Sequence, residues 1–216
     1  MNTLRFLALL ALLAPAARAD EWPTEPGPAL VDGQNDADWR PLFAALAAQG
    51  NVFSAITEHR WFPFKKTPVV LLGEMRLDAT RGLSLRYTHP EERLMAIDTR
   101  GILLRDAHGR TRELASDPQT PTANTALLPI LRFDLAALTA TFDIHAARAG
   151  EAWRLDFVPR DPALARQLGR LIVRGSAQTV AQLEFRRSAM QRVEVFIGET
   201  RRGVAFTDDE LARFFR

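Results

Sequence analysis

The sequence contains no cysteine and only four histidines among its 216 residues. Without cysteine no disulfide can form, so stability must come from packing, and thiol catalysis and thiolate metal sites are excluded. His59, His89, His108 and His145 stand apart, lacking the H-E-x-x-H spacing that puts two imidazoles on one metal. No serine sits in a G-x-S-x-G elbow, and Gly101, Gly109 and Gly150 occur singly at turns, not in a phosphate-cradling loop. Neighbouring acids such as Glu91-Glu92 and Asp208-Asp209 face opposite sides of a strand or favour a helix dipole. No catalytic residue, metal or cofactor is expected. An enzymatic reading would need Glu58, Glu74 and His59 to converge, yet alternation along a strand puts His59 opposite Glu58.

Charge of one sign is lacking too. The formal charge of +2 lies in Arg5 and Arg18, whose removal leaves 26 basic and 26 acidic residues. No basic run exceeds Lys65-Lys66, Arg186-Arg187 or Arg201-Arg202, so nucleic acid is not an expected partner. Long hydrophobic runs are confined to residues 6–14, about half the ~20 residues a membrane helix needs. That run follows a basic n-region and precedes the small-x-small pattern Ala17-Arg18-Ala19, which marks residues 1–19 as a cleavable signal peptide. Asp20 stands where a lipoprotein would carry its acylated cysteine, so the expectation is an unanchored protein exported to the periplasm.

What is present is a mainly β pattern. Residues 20–37 are rich in proline and acids and predict a mobile N-terminal arm, ahead of a single domain over residues 38–216. Asp38 is the expected cap of a short helix carrying Leu42, Phe43, Leu46 and Ala47. From residue 51 to 114, apolar positions two apart predict antiparallel strands, one of them (67–78) with Gly73 in its middle, where a missing side chain permits bending or close approach. Residues 116–125 predict a loop, followed by two short helical turns with Asp134 as a cap, whose Leu127, Leu128, Leu131 and Phe133 must cover something apolar. Further strands carry Trp153, Leu155 and Phe157, then Leu171 and Val173, then Ala181, Leu183 and Phe185, then Val193, Val195 and Ile197, each as one row. Asp161 with Pro162 opens one more helix, and Thr207 to Glu210 form a capping box for the last.

A strongly curved sheet bearing Leu83, Leu85, Tyr87, Trp153, Leu155, Phe157, Val193 and Val195 on its concave face must be filled by helices or by a ligand. Permanently packed helices and a ligand cavity both satisfy the periodicity. The helices are short and joined by long loops, which suits a lid.

Three stretches, G-E-M-R-L at residues 73–77, Y-T-H-P-E-E at 87–92 and L-M-A-I-D at 94–98, resemble the periplasmic outer-membrane lipoprotein carrier family, the LolA-like proteins. The first strand V-F-S-A-I-T-E-H-R (52–60), the later W-R-L-D-F-V-P (153–159) and a closing strand up to Phe206 extend the likeness over nearly all of the mature chain. The resemblance implies an α+β, mainly β fold, an unclosed β-barrel with short helices as a lid. It also implies a carrier, without catalysis, that takes acyl chains into an apolar cavity. Leu83 and Leu85 match positions where large cavity residues sit, and Met95 falls on another cavity-lining strand. The partners implied are an acylated lipoprotein or other lipid, an inner-membrane exporter or transporter and an outer-membrane acceptor, with the protein itself a monomer. The lid-latching arginine of such carriers aligns with Ala79, leaving Arg81 as the nearest substitute. The alternative is a non-catalytic periplasmic binding or scaffold module of a lipid or aryl-polyene export system.

Overall fold

Strand β1 (Val52–Trp61) is the seam of the molecule, pairing with β2 (Val69–Asp78) on one side and with β11 (Arg192–Arg202) on the other. The computed structural model describes residues 22–31, 33–115 and 123–216, so the segment expected to be a signal peptide (1–19) and most of the expected 116–125 loop lie outside the described residues. From the seam, β2 continues as an antiparallel meander through β3 (Gly82–His89), β4 (Arg93–Asp98), β5 (Gly101–Asp106) and β6 (Thr111–Ala115). On the other flank β11 is followed by β10 (Thr179–Arg186), β9 (Arg170–Ser176), β8 (Ala152–Pro159) and β7 (Phe142–Ala149). The eleven strands form one antiparallel sheet in the order β6-β5-β4-β3-β2-β1-β11-β10-β9-β8-β7, whose end strands β6 and β7 do not pair. It is an unclosed barrel.

Helix α1 (Arg40–Ala47) precedes β1, α2 (Ala123–Leu131) and α3 (Leu135–Thr141) join the two meanders, α4 (Pro162–Leu168) links β8 to β9, and α5 (Asp208–Phe214) ends the chain. Leu42, Phe43 and Leu46 of α1, Ile130 of α2, Leu138 of α3 and Leu164 of α4 share one apolar core with the inward rows of the sheet. The helices therefore occupy the concave side, and α2 reaches across to β4, β5 and α4. Asp134, Asp161 and Thr207 cap α3, α4 and α5 as their sequence positions predict. Asp38 does not cap α1. Its N-cap is Trp39, without a side-chain bond, while Asp36 accepts from the Gly33 N–H at 3.0 Å and pairs with Arg40 at 2.7 Å.

Two further corrections concern backbone pairing. A bulge between Val180 and Gln182 leaves Ala181 out of the ladder to β9, so Val180 packs against the core ahead of Leu183 and Phe185. Residues 27–30 of the expected mobile arm lie along β7. Leu30 N–H donates to the Ile144 carbonyl at 2.7 Å, Ala146 N–H donates to the Pro28 carbonyl at 3.1 Å, and Ala29 bridges His145. The arm thereby covers the exposed edge that β7 would otherwise present.

Candidate functional site

Alternation along each strand delivers one apolar row to the concave side, and on the β2–β5 flank the helices do not fill it. A cavity of about 560 Å³ remains, walled by Met75, Leu83, Leu85, Met95, Ile97 and Ile102 and, from the other flank, by Leu183, Phe185, Val193 and Val195. Leu131 of α2 and Leu168 of α4 also line it. Its size falls in the ~300–1,000 Å³ range of small-molecule sites. Met75, Leu131 and Leu183 also line a second, smaller space of about 100 Å³, shared with Leu46, Val52, Leu77 and Phe133.

Polar groups gather where β1 leaves the cavity. Glu58 and Tyr87 are 3% and 2% exposed, and the Tyr87 hydroxyl donates to Glu58 Oε2 at 2.6 Å. The Arg60 guanidinium donates to Glu58 Oε1 and lies 5.8 Å from the centre of the Tyr87 ring. Burial pushes the Tyr87 hydroxyl up in pKa, and the neighbouring Glu58 adds to it, so the phenol remains a donor. Burial opposes the charge of Arg60, but Glu58 outweighs it and raises the guanidinium. Farther out, Trp61 Nε1 donates to Glu194 Oε2 at 2.7 Å and Arg192 donates to Glu194 Oε1 at 2.9 Å while lying over the Trp61 ring at 4.3 Å. Gln167, Arg187, Gln191 and Phe62 complete the rim. The site thus has an apolar body and a polar rim whose charges are largely matched.

The sequence-predicted residues divide between the two flanks. Leu83, Leu85, Tyr87, Met95, Val193 and Val195 meet at the cavity together with Leu131 of α2. Trp153, Leu155 and Phe157 do not reach it. At 1%, 0% and 0% exposed, they lie in the filled half, where Phe142 meets Phe157 edge-on at 5.9 Å. Of the other leucines expected to form a lid, Leu128 is buried at 5% exposed, and the Leu127 side chain lies outside the described residues. Arg81 is exposed on the β2–β3 turn, lines neither cavity, and its N–H donates to Asp78 Oδ1 at 2.8 Å. Ala79, where the latch arginine of the resembling family aligns, lines the smaller space together with Arg132 from the segment after α2.

Glu58, Arg60, Ile102, Leu183 and Phe185 were not among the expected cavity residues. Along β1 the missed signal was parity, because Glu58 and Arg60 continue the row of Val52, Ser54 and Ile56, whereas Leu183 and Phe185 are read as one row in the sequence without being assigned to the cavity. The trio Glu58, Glu74 and His59 does not assemble. His59 lies against Phe196 at 5.0 Å, and Glu74 pairs with Arg76 at 3.0 Å, one strand position from the inward Met75. Among the described residues no group of three or more acids and histidines could hold a metal ion, and no helix is long and apolar enough to cross a membrane.

No protein-family model and no curated protein matches the sequence. Similar solved structures include a putative outer membrane lipoprotein-sorting protein domain from Vibrio parahaemolyticus, 8% identical, with a TM-score of 0.42 over 81% of this chain and 94% of that one. A LolA superfamily protein from Nitrosomonas europaea is 7% identical, with a TM-score of 0.45 over 80% of this chain and 96% of that one. The MucA/MucB complex of Pseudomonas aeruginosa contains a chain 19% identical, with a TM-score of 0.36 over 81% of this chain and 59% of that one.

Proposed function

We propose that this protein is a periplasmic carrier that takes the acyl chains of a lipoprotein or other lipid into the 560 Å³ cavity and shuttles them between the inner and outer membranes. The observation that carries the proposal is the asymmetry of the barrel. One half is packed with Trp153, Leu155 and Phe157 under helices, while the other keeps an apolar void opening at a polar rim. Apolar walls that open at a wet rim carry a hydration cost, which a bound chain offsets by removing them from water. Each methylene removed from water contributes ~0.8 kcal/mol, so ten of them supply ~8 kcal/mol, the scale of micromolar binding before ordering costs. Arg192 paired with Glu194, and Arg60 paired with the buried Glu58, give the cavity a polar edge above its apolar body.

Native mass spectrometry of the protein taken from the periplasm should show an adduct of lipid mass, and a fluorescent fatty acid should bind the lipid-stripped protein saturably. No adduct and no saturable binding would remove the carrier reading. A second reading, a binding module that holds a protein partner, draws on Val70 and Leu72, which are 40% and 44% exposed on β2. A pull-down that returns one protein partner but no lipid would favour it.

A further inference from the structure

Two loops stand beside the cavity mouth. Trp61 pairs with Arg192, and Arg192 pairs with Arg186, so residues 62–68 and 187–191 leave the sheet side by side. The first loop reads F-P-F-K-K-T-P and the second R-S-A-M-Q, with no acid in either. Phe64 is 79% exposed and stacks on Phe62 at 5.5 Å, and Met190 is 60% exposed. These are the two most exposed large apolar side chains among the described residues. Lys65, Lys66 and Arg187 are exposed among them, although the mature chain as a whole carries no excess of positive charge. Phe62, Arg187 and Gln191 line the cavity itself, so the same loops form its doorway.

We propose that these loops dock on a bilayer surface containing anionic phospholipid, with Phe64 and Met190 entering the headgroup boundary and Lys65 and Lys66 pairing with lipid phosphates, while Arg187, whose guanidinium donates to the Gln167 carbonyl, adds positive charge beside them. Apolar tips alternating with cations suit this boundary, where the tip leaves water and the ammonium stays in it. Two exposed apolar tips in adjacent loops, with Lys65 and Lys66 directly after Phe64 and no acid in either loop, match an anionic bilayer boundary in both chemistry and sign. The docking builds on the carrier reading, because it sets the doorway against the membrane from which a chain would enter or leave.

The test is co-sedimentation with vesicles of phosphatidylcholine mixed with phosphatidylglycerol, and with vesicles of phosphatidylcholine alone. The protein should bind the mixed vesicles, weaken as salt rises, and bind the neutral ones much less. Each basic residue near an anionic surface contributes about a five-fold factor, so K65E/K66E should weaken binding by roughly 25-fold or more. F64S should weaken it roughly ten-fold, and neither variant should change the thermal midpoint, since all three side chains are exposed. Binding of a fluorescent fatty acid in solution is measured on the same preparations and should be unchanged in both variants. Equal binding to both vesicle types, or undiminished binding by K65E/K66E and F64S, overturns the docking surface. Fatty-acid uptake without vesicle binding overturns docking alone, whereas vesicle binding without uptake overturns the carrier reading and leaves the docking surface standing.

Discussion

Tyr87 donates its hydroxyl hydrogen to Glu58 Oε2 at 2.6 Å in the wall of the cavity, joining β3 to β1 across the intervening β2. Hydrogen bonds to charged groups contribute about 1.5–3 kcal/mol, and a buried acceptor left short of a donor loses that much. Tyr87→Phe keeps the ring and removes the donor, so stability should fall by about 1.5–3 kcal/mol, read as a lower urea midpoint at unchanged slope. A loss below about 0.5 kcal/mol would show that Arg60 alone satisfies Glu58.

The filled and empty halves of the barrel should respond differently to the same truncation. Leu155 is 0% exposed in the packed half, and Leu155→Ala should cost about 2–5 kcal/mol. Leu85 already faces open space on one side, so Leu85→Ala should cost less than half as much. Leu85→Trp should instead reduce fatty-acid binding while leaving the urea midpoint nearly unchanged. Equal costs for the two alanine variants would mean that the cavity closes in solution.

Much of this architecture is legible from local pattern, and what is not depends on packing and register that no single strand encodes. Strand rows, caps at Asp134, Asp161 and Thr207, and the order of strands and helices follow from period, turn residues and capping chemistry within a few neighbours. Periodicity places Leu155 and Leu85 alike on the concave face, but strand parity does not say which of them a helix covers: α4 packs back onto β8, whereas Leu85 lines the cavity. The bulge at Ala181 also escaped, because a bulge inverts parity without any composition cue in T-V-A-Q-L-E-F. The arm misled through its prolines: Pro28 lacks an N–H, yet its carbonyl still accepts from Ala146.

Gly73 is the one interior glycine whose role was foreseen, and its surroundings set a sharp expectation. The ladder between β2 and β3 shifts register between Leu72 and Gly73, and a Cβ built on Gly73 would stand 2.3 Å from the Arg86 carbonyl oxygen. Backbone, unlike a flexible side chain, cannot move aside without loosening the pairing. Gly73→Ala should therefore cost about 1–3 kcal/mol, where an alanine in an ordinary strand would cost nothing. A variant as stable as the parent, by thermal unfolding, would show that the sheet relaxes there freely.

Acid should weaken the tie between the last helix and the β4–β5 turn. Burial would raise the Asp98 carboxyl, but Arg216, at 3.0 Å and 2.5 Å, and Arg100 outweigh it and hold it below the usual carboxylate range. A depressed folded value means the stabilisation is full above the unfolded value of about 3.9 and fades as pH falls through the folded one. Arg216→Ala should thus lower the urea midpoint at about pH 7, and its deficit against the parent should shrink below about pH 4. A deficit independent of pH would assign the effect to contacts other than Asp98, namely the bond from Arg216 to the Gly101 carbonyl and packing of the arginine stem.

Arg154 and Asp156 form the most deeply buried ion pair among the described residues, at 2% and 0% exposed, bonded at 2.6 Å and 2.9 Å. Arg154 also donates to the Thr24 carbonyl, so one guanidinium fastens the arm over the outer face of β8. Removing one partner strands a buried charge, and Arg154→Met should cost about 3–5 kcal/mol, lessened by Arg170, which reaches Asp156 at 3.5 Å. Replacing both, as R154M/D156L, removes the stranded carboxylate and should recover most of that stability, because desolvation of the pair offsets its attraction. The arm gives an independent readout. Both variants lose the donor to Thr24, so limited proteolysis near residues 22–26 should quicken in each, even where the double variant regains its urea midpoint. Recovery of midpoint together with parent-like proteolysis would show that the β7 pairing through Pro28 and Leu30 holds the arm without Arg154.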